Sequence, residues 1–308
     1  FALSDPRMPF PVRVQGGRLS AERGYDPAGE FGKISGAVDV SPILSYDSDI
    51  NGGSGKDGFT VGGIDFLIPE DDRRKSGVVI GASAQASSRY TIGRQAVADI
   101  GGWGSFAWSP EHEISKISAG VSACVTRQID RDLYTGACAA YGLYRTDLKD
   151  DESVVGEISV NKLLAGEGAI HDIGVGISLV SIRDRRYDEA FQQATGRIGG
   201  ETLLRSGDMI GYRASFGERV RGQKVRTFGL DASYTTLVGG RLVSLGAAYD
   251  DYSGATWLGR EVREESFSAS AALTLRNGLE IGAEYVKTSS RSQLSDGNEV
   301  FFDVRIKF

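Results

Sequence analysis

From Lys33 onward, apolar side chains recur at every second position in segment after segment. In Lys33 to Tyr46, Ile34, Val38, Val40, Pro42, Leu44 and Tyr46 share one face, while Ser35, Asp39 and Ser41 share the other. In Ser76 to Ser87, Val78, Ile80, Ala82, Ala84 and Ala86 oppose Ser83, Gln85 and Ser87, and Ile100, Phe106 and Trp108 share a face in Ala98 to Trp108. Ile117, Ala119, Val121, Ala123 and Val125 oppose Ser118, Ser122 and Thr126; Ile173, Val175, Ile177 and Leu179 oppose Asp172, Gly174, Gly176 and Ser178. A period of two marks strands whose faces meet different surroundings. Beyond roughly the first 30 residues, helical periodicity is almost absent.

The last hundred residues read most cleanly. Ile210, Tyr212, Ala214 and Phe216 are followed by Phe228, Leu230, Ala232 and Tyr234, then Val243, Leu245, Ala247 and Tyr249. Phe267, Ala269, Ala271, Leu273 and Leu275 come next, then Leu279, Ile281, Ala283 and Tyr285, and the chain ends in "VFFDVRIKF". Consecutive segments of this kind form an antiparallel meander. They are longer than the five or six residues typical of soluble sandwiches, and Arg213, Asp231, Glu284, Asp303 and Arg305 put full charges in mid-strand. Tight turns at 238–240 and 277–278 alternate with long polar connections at 218–226, 251–264 and 289–297. Short turns at one rim and long loops at the other belong to transmembrane barrels. The pattern therefore predicts an all-β fold, a transmembrane antiparallel up-and-down β-barrel of about 14–16 strands over residues 32–308. The segments total about fifteen, and a closed barrel of this class takes an even number, so 14 and 16 both stay open. The doubtful region is 184–207, where alternation is poor. Tyr249, Tyr252 and Trp257 are expected near the outer interface, as an aromatic girdle.

Composition enters where it tests this reading. The formal net charge of -6 and pI of about 5.2 argue against nucleic acid as a partner. No apolar run approaches the ~18 residues of a membrane helix, a test that a barrel strand escapes because only alternate residues face lipid. Residues 1–31 hold four of the seven prolines and do not alternate. They are expected to be a periplasmic arm, a linker from an upstream domain, or a lumen plug. From the start at Phe1 without methionine, a mature or trimmed chain is expected, from which an export signal could have been removed.

The C-terminal stretch, with Phe302, Val304, Ile306 and a final Phe308, resembles the assembly signal of bacterial outer-membrane β-barrel proteins. That resemblance implies an outer-membrane location, the barrel-assembly machinery as a partner, and a periplasmic N-terminal arm and C-terminus. "LSYDSDINGG" (Leu44 to Gly53) is similar to stretches in surface-lipoprotein-assembly modifiers, exopolysaccharide exporters and putative porins. It implies an exporter-type pore with a periplasmic export partner.

Candidate chemistry is sparse. Cys124 and Cys138 are equidistant from Arg131, the centre of "RQIDRDLYT", and so face each other across a hairpin on the polar face. In an oxidising compartment they are placed for a disulfide, although two small residues filling a crowded interior satisfy the same pattern. Two cysteines and two histidines leave little for a metal, and no cofactor is expected. His112 lies in the turn "SPEHEIS"; His171 begins a strand, and no motif selects a serine for it, so an embedded lipid-modifying enzyme is the weakest reading. Glycines 174 and 176 lie on a strand, which rules out a nucleotide loop.

The interior charges say most. Arg213, Asp231, Arg276, Glu280, Glu284, Glu299, Asp303, Arg305 and Lys307 fall on the polar face of the last strands and are expected to line the lumen. Mixed-sign rows on a wet wall suit ions, sugars or a polar polymer, or else pair with one another to fill a plugged interior. Basic loop clusters at Arg183, Arg185 and Arg186 and at Arg219, Arg221, Lys224 and Arg226 could hold lipopolysaccharide phosphates, or be balanced by Asp184, Asp188 and Glu189. The expected function is a non-enzymatic outer-membrane channel moving polar cargo, small solutes or exported polysaccharide or protein. The alternative is a plugged structural or assembly barrel that anchors a periplasmic or surface partner.

Overall fold

The computed structural model describes residues 32–306 except 52, 62, 94, 258–259, 276–278 and 291–296. The arm expected at 1–31 lies outside the described residues. The described residues begin with β1 (Gly32–Asp47), a small hairpin of β2 (Gly58–Val61) and β3 (Ile64–Leu67), and a 3-10 turn at Glu70–Asp72. Then come β4 (Gly77–Thr91), β5 (Ala96–Ser109), β6 (Ile114–Gln128), β7 (Leu133–Arg145), β8 (Asp150–Ala165) and β9 (Ala169–Asp184). They are followed by β10 (Glu189–Leu204), β11 (Met209–Gly217), β12 (Val225–Val238) and β13 (Arg241–Ser253). A two-residue ladder, β14 (Thr256–Trp257) with β15 (Arg260–Glu261), precedes β16 (Glu264–Thr274), β17 (Leu279–Ser290) and β18 (Gly297–Ile306).

Apart from the two small hairpins, each strand pairs antiparallel with its neighbours in sequence, and β18 returns to β1. The described strands thus close a barrel of fourteen, one of the two even counts the pattern allowed. At about 3.3 Å per residue, strands of this length cross an apolar band about 25 Å tall even when tilted. The doubtful region 184–207 is a turn followed by a single 16-residue strand, β10. Its alternation is weak because Phe191 and Leu203 occupy inward positions and Gly199 and Gly200 interrupt the middle.

The connections divide as expected. Among the described residues, 48–76, 110–113, 146–149, 185–188, 218–224 and 254–263 lie at one rim; at the other, where β1 starts and β18 ends, lie turns of two to four residues. The strands run further into the loops than the sequence pattern showed, so 218–226 narrows to 218–224 and 251–264 to 254–263. Between β12 and β13 the turn is Gly239–Gly240, with φ of 58° and 76°. A two-residue turn with both central residues at positive φ matches the twist of the flanking strands, and glycine adopts it without a Cβ penalty. Short turns at this rim are tied sideways: Gln128 N donates to Gln95 O, Leu163 N to Asp132 O and Arg205 N to Gly168 O.

Burial is inverted relative to a water-soluble protein. Among the described residues ten apolar ones are buried, against forty-five large ones exposed. The exposed set includes Val38, Ile100, Ile158, Ile177, Leu230, Leu245, Phe302 and Val304, spaced two apart along the strands. An apolar surface that continuous is stable only against hydrocarbon or another apolar surface. Phe216, Phe228 and Tyr249 join ring to ring on this outer face, with centroids 5.4 and 6.2 Å apart. Tyr252 lies on the inward parity of β13, with Lys224 Nζ 5.3 Å from its ring centroid. The Trp257 side chain lies outside the described residues.

Candidate functional site: the barrel lumen

The inward positions of the strands enclose two cavities. The first, about 470 Å³, is lined by Asn161, Asp172, Arg197, Glu201, Arg213, Asp231 and Ser233, with glycines 174, 199 and 211 between them. The second, about 760 Å³, runs between the β1–β4–β5 wall and the β12–β13–β16–β17–β18 wall. Its polar lining is Asp39, Asp47, Glu280 and Glu284, Gln85, and serines 41, 45, 83, 105, 233, 244 and 270. Ser233 belongs to both. Among the described residues, one half of the lumen is therefore mixed in sign, and the other is acidic and rich in hydroxyls.

The structure places the expected lumen residues as follows. Arg213 and Asp231 are register partners in the β11–β12 ladder, and both line the first cavity. Arg226 donates to Asp231 at 3.3 Å and also pairs with Asp250. Glu280 accepts from Thr274 Oγ1 at 3.1 Å, and Glu284 lines the second cavity without contact to Arg213 or Asp231. Glu299 reaches Arg74 of the 48–76 loop at 2.8 Å. On β18, Asp303 stands opposite Gly282 and Arg305 opposite Glu280. Arg276, Lys307 and Phe308 lie outside the described residues. Of the C-terminal apolar set, Phe302 and Val304 are exposed on the outer face, and Ile306 ends β18 opposite Leu279.

Several lumen groups were not read from the sequence. Arg89 holds Asp99 through two hydrogen bonds, of 2.5 and 2.9 Å, Lys116 pairs with Asp47, and Arg197 on β10 reaches Glu157 on β8. Trp103 on β5 and Phe301 on β18, both at inward positions, also line the second cavity. Their odd positions in strands whose outward residues are even were the available signal.

The largest omission is the loop over 48–76, which turns inward. Ile50 is fully buried against Val79, Ala107 and Ile114, with Ile43 beside them, all on inward strand positions. Removing such a side chain from water is worth about 1.5–3 kcal/mol. Asn51, 1% exposed, donates to Asp71 O at 3.3 Å and Arg73 O at 2.7 Å. Its Oδ1 accepts from Gly53 N and Lys75 N. A Cβ at Gly53 would stand 2.5 Å from the Arg73 carbonyl oxygen, which is why the turn needs glycine there. Lys116 donates to Asp49 O at 2.9 Å, and Arg74 bridges Asp49 and Glu299. The "DSDINGG" stretch is thus the knot that fastens this loop to the lumen wall.

Cys124 and Cys138 are register partners on β6 and β7, joined as a disulfide with Cα atoms 4.1 Å apart. Asp99 and Glu157 are their neighbours in register on either side. Cross-linking two positions 14 residues apart is worth about 3 kcal/mol by loop-closure entropy. Serine at both positions is expected to lower the stability of the folded barrel by about that amount. The urea midpoint of the mobility shift between folded and unfolded protein measures it, and reduction of the wild type should give the same shift.

The histidines are dispersed. His171 Nδ1 contacts Thr202 Oγ1 at 2.9 Å on the next strand, and His112 Nε2 contacts the Ser76 carbonyl at 3.1 Å. Among the described residues, no group of three or more His, Cys, Asp or Glu could hold a metal. The first basic loop cluster is internally matched: Arg183 with Asp188, Arg185 with Glu152, and Arg186 with the Asp147 carbonyl. The hydrogen bond from Arg183 holds the Asp188 carboxyl below its usual value. In the second cluster Arg219 meets Glu261, and Lys224 meets Glu264. At the opposite rim, hydrogen bonds from Thr236 and Ser206 hold Asp208 below the usual carboxylate range.

No family model and no curated protein matches the chain. Solved barrels do. The chain is similar to OccK9 (OpdG) of Pseudomonas aeruginosa, at 10% identity and a TM-score of 0.44, over 89% of this chain and 99% of that one. OpdL of the same organism gives 10%, 0.47 and the same coverage. The β domain of the Bordetella autotransporter BrkA gives 10%, 0.34, and 89% and 100%.

Proposed function

We propose that the chain is a water-filled pore of the bacterial outer membrane that passes polar cargo without catalysing a reaction. The observation that carries this reading is the pairing of a continuous apolar outer face with charged and hydroxyl-lined cavities inside a closed barrel. Closure satisfies the backbone in lipid, and strands alternating in polarity serve both solvents at once. On this reading the short-turn rim, with β1's start and β18's end, is periplasmic, and the 48–76 loop is on the outside. Membrane lipids cover the belt, and the outer basic loops meet lipopolysaccharide phosphates. The C-terminal Phe302, Val304, Ile306 and Phe308 are read by the assembly machinery. Small solutes are the simplest cargo. An exported polysaccharide or protein handed over by a periplasmic partner would use the same lumen.

Asp39, Asp47, Glu280 and Glu284 line the larger cavity, and among the described residues no lysine or arginine does. A narrow water path with such walls favours cations. Purified barrel in a planar bilayer is expected to give steady single-channel openings whose reversal potential in a KCl gradient shifts toward potassium. A silent barrel or an anion preference would count against the pore. The inward-fastened 48–76 loop favours a second reading, a barrel kept shut by its own loop. It predicts silence in the intact protein and openings once that loop is released.

A further inference from the structure

We infer that the lumen holds a stacking site for a neutral carbohydrate, centred on Trp103. The inference deepens the pore reading, since the ligand must enter the barrel to reach it. Trp103 is an anomaly on its wall. The inward positions of β5 are otherwise occupied by Val97, Asp99, Gly101, Ser105, Ala107 and Ser109, yet Trp103 is 49% exposed. A large ring left open on a hydrated wall calls for a partner.

The ring is also supported. Gly120 is its register partner on β6, and a Cβ there would come within 2.9 Å of Trp103 Cε2 and Cζ2. The benzo half of the indole therefore lies against glycine backbone, which backs one side and leaves the rest to the 760 Å³ cavity. That volume falls within the range of sites for small ligands, about 300–1,000 Å³. Gln85 stands opposite Trp103 in the β4–β5 ladder, and Asp39 opposite Gln85 in the β1–β4 ladder. Ser83 and Ser105 flank them, and Glu284 and Phe301 line the same cavity from β17 and β18.

The chemistry of this set fits a pyranose. A sugar ring presents one sheet of C–H bonds, which packs on an electron-rich indole, and a rim of hydroxyls that both donate and accept. Carboxylates accept only, whereas the Gln85 amide and the serine hydroxyls do both. Together they can satisfy a hydroxylated rim. An organic cation would share the π face and suit Asp39 and Glu284, but it has no use for the amide donor of Gln85. Binding inside a pore must also be weak enough for release, and one stacking ring with short polar neighbours meets that condition.

The test uses barrel purified in a dimethylamine oxide detergent, which carries no sugar headgroup. Calorimetric titration with maltotriose, cellotriose and chitotriose is expected to give saturable binding of at least one of them. Trp103→Ala is expected to weaken it about tenfold or more, while Trp103→Phe, which keeps a ring, stays within a few-fold of wild type. Binding of none of the three, or binding unchanged in Trp103→Ala, overturns the site. So does a Trp103-dependent response to spermidine alone, which would assign the ring to a cation. Conductance is recorded on the same preparations. A conducting barrel that binds no trisaccharide keeps the pore and removes the site; a silent barrel that binds through Trp103 does the reverse.

Discussion

Arginine in place of Ile177 is expected to destabilise the membrane-inserted barrel by about 2–4 kcal/mol, whereas arginine in place of Ser178, one residue further along β9, is expected to insert normally. Ile177 is at the middle of its strand and 64% exposed. Its register partner Ile158 on β8 is equally exposed, so a guanidinium there would meet only apolar neighbours and hydrocarbon. Ser178 points the other way. It shares a hydrogen bond of 2.6 Å with Thr195 and stands opposite Glu157 in register, where a cation finds a carboxylate and water. Urea titration of the proteins refolded into lipid vesicles gives both values. Equal losses at the two positions would show that the two faces do not meet different solvents, and would sink the transmembrane assignment.

The second large effect is expected at Asn51. Alanine there removes the three side-chain hydrogen bonds by which Asn51 ties the two ends of the 48–76 loop together, leaving up to three backbone groups short of partners in a site that is 1% exposed, with the backbone bonds from Ile50 N to Lys75 O, Ser54 N to Asp72 O and Arg74 N to Ser54 O still in place. At about 1–3 kcal/mol for each unsatisfied buried group, the loss exceeds what the Ile50 contact alone can hold. The loop is expected to leave the wall. Arg74, now held between Asp49 and Glu299, should become a trypsin site, and single-channel conductance should rise. The strand ladder itself should stay paired, because the loop is held to the wall by side-chain contacts and not by ladder hydrogen bonds. Unaltered cleavage and conductance in Asn51→Ala would mean that the loop is held by other contacts.

The fold was legible because a barrel strand meets two solvents, and that leaves a period of two in every segment. The pattern gave the strand class, the alternating rims and the polar face of Arg213, Asp231 and Glu284 without any long-range information. It was weakest where inward positions are not polar. Phe191 and Leu203 on β10 blurred one strand, and Trp103 and Phe301 were overlooked on polar faces because a lone aromatic scarcely disturbs a seven-residue alternation. Cys124 and Cys138 were a favourable case, since a hairpin's centre sets which residues are opposite. Partners two strands apart, such as Arg197 with Glu157, depend on side-chain reach, which sequence spacing does not encode.

By itself, then, the order of residues determined a closed antiparallel barrel with its apolar side outward, since no other arrangement of such strands keeps both faces in suitable surroundings. Only the tertiary structure decided how the interior is divided. Register and curvature bring β5 across from β13 and β17, so Trp103 shares a cavity with Glu284 and Phe301. The same curvature lets a loop that looked like a polar surface connection bury Ile50 against three strands. Those contacts join residues tens to hundreds of positions apart, and they exist only once the sheet has closed on itself.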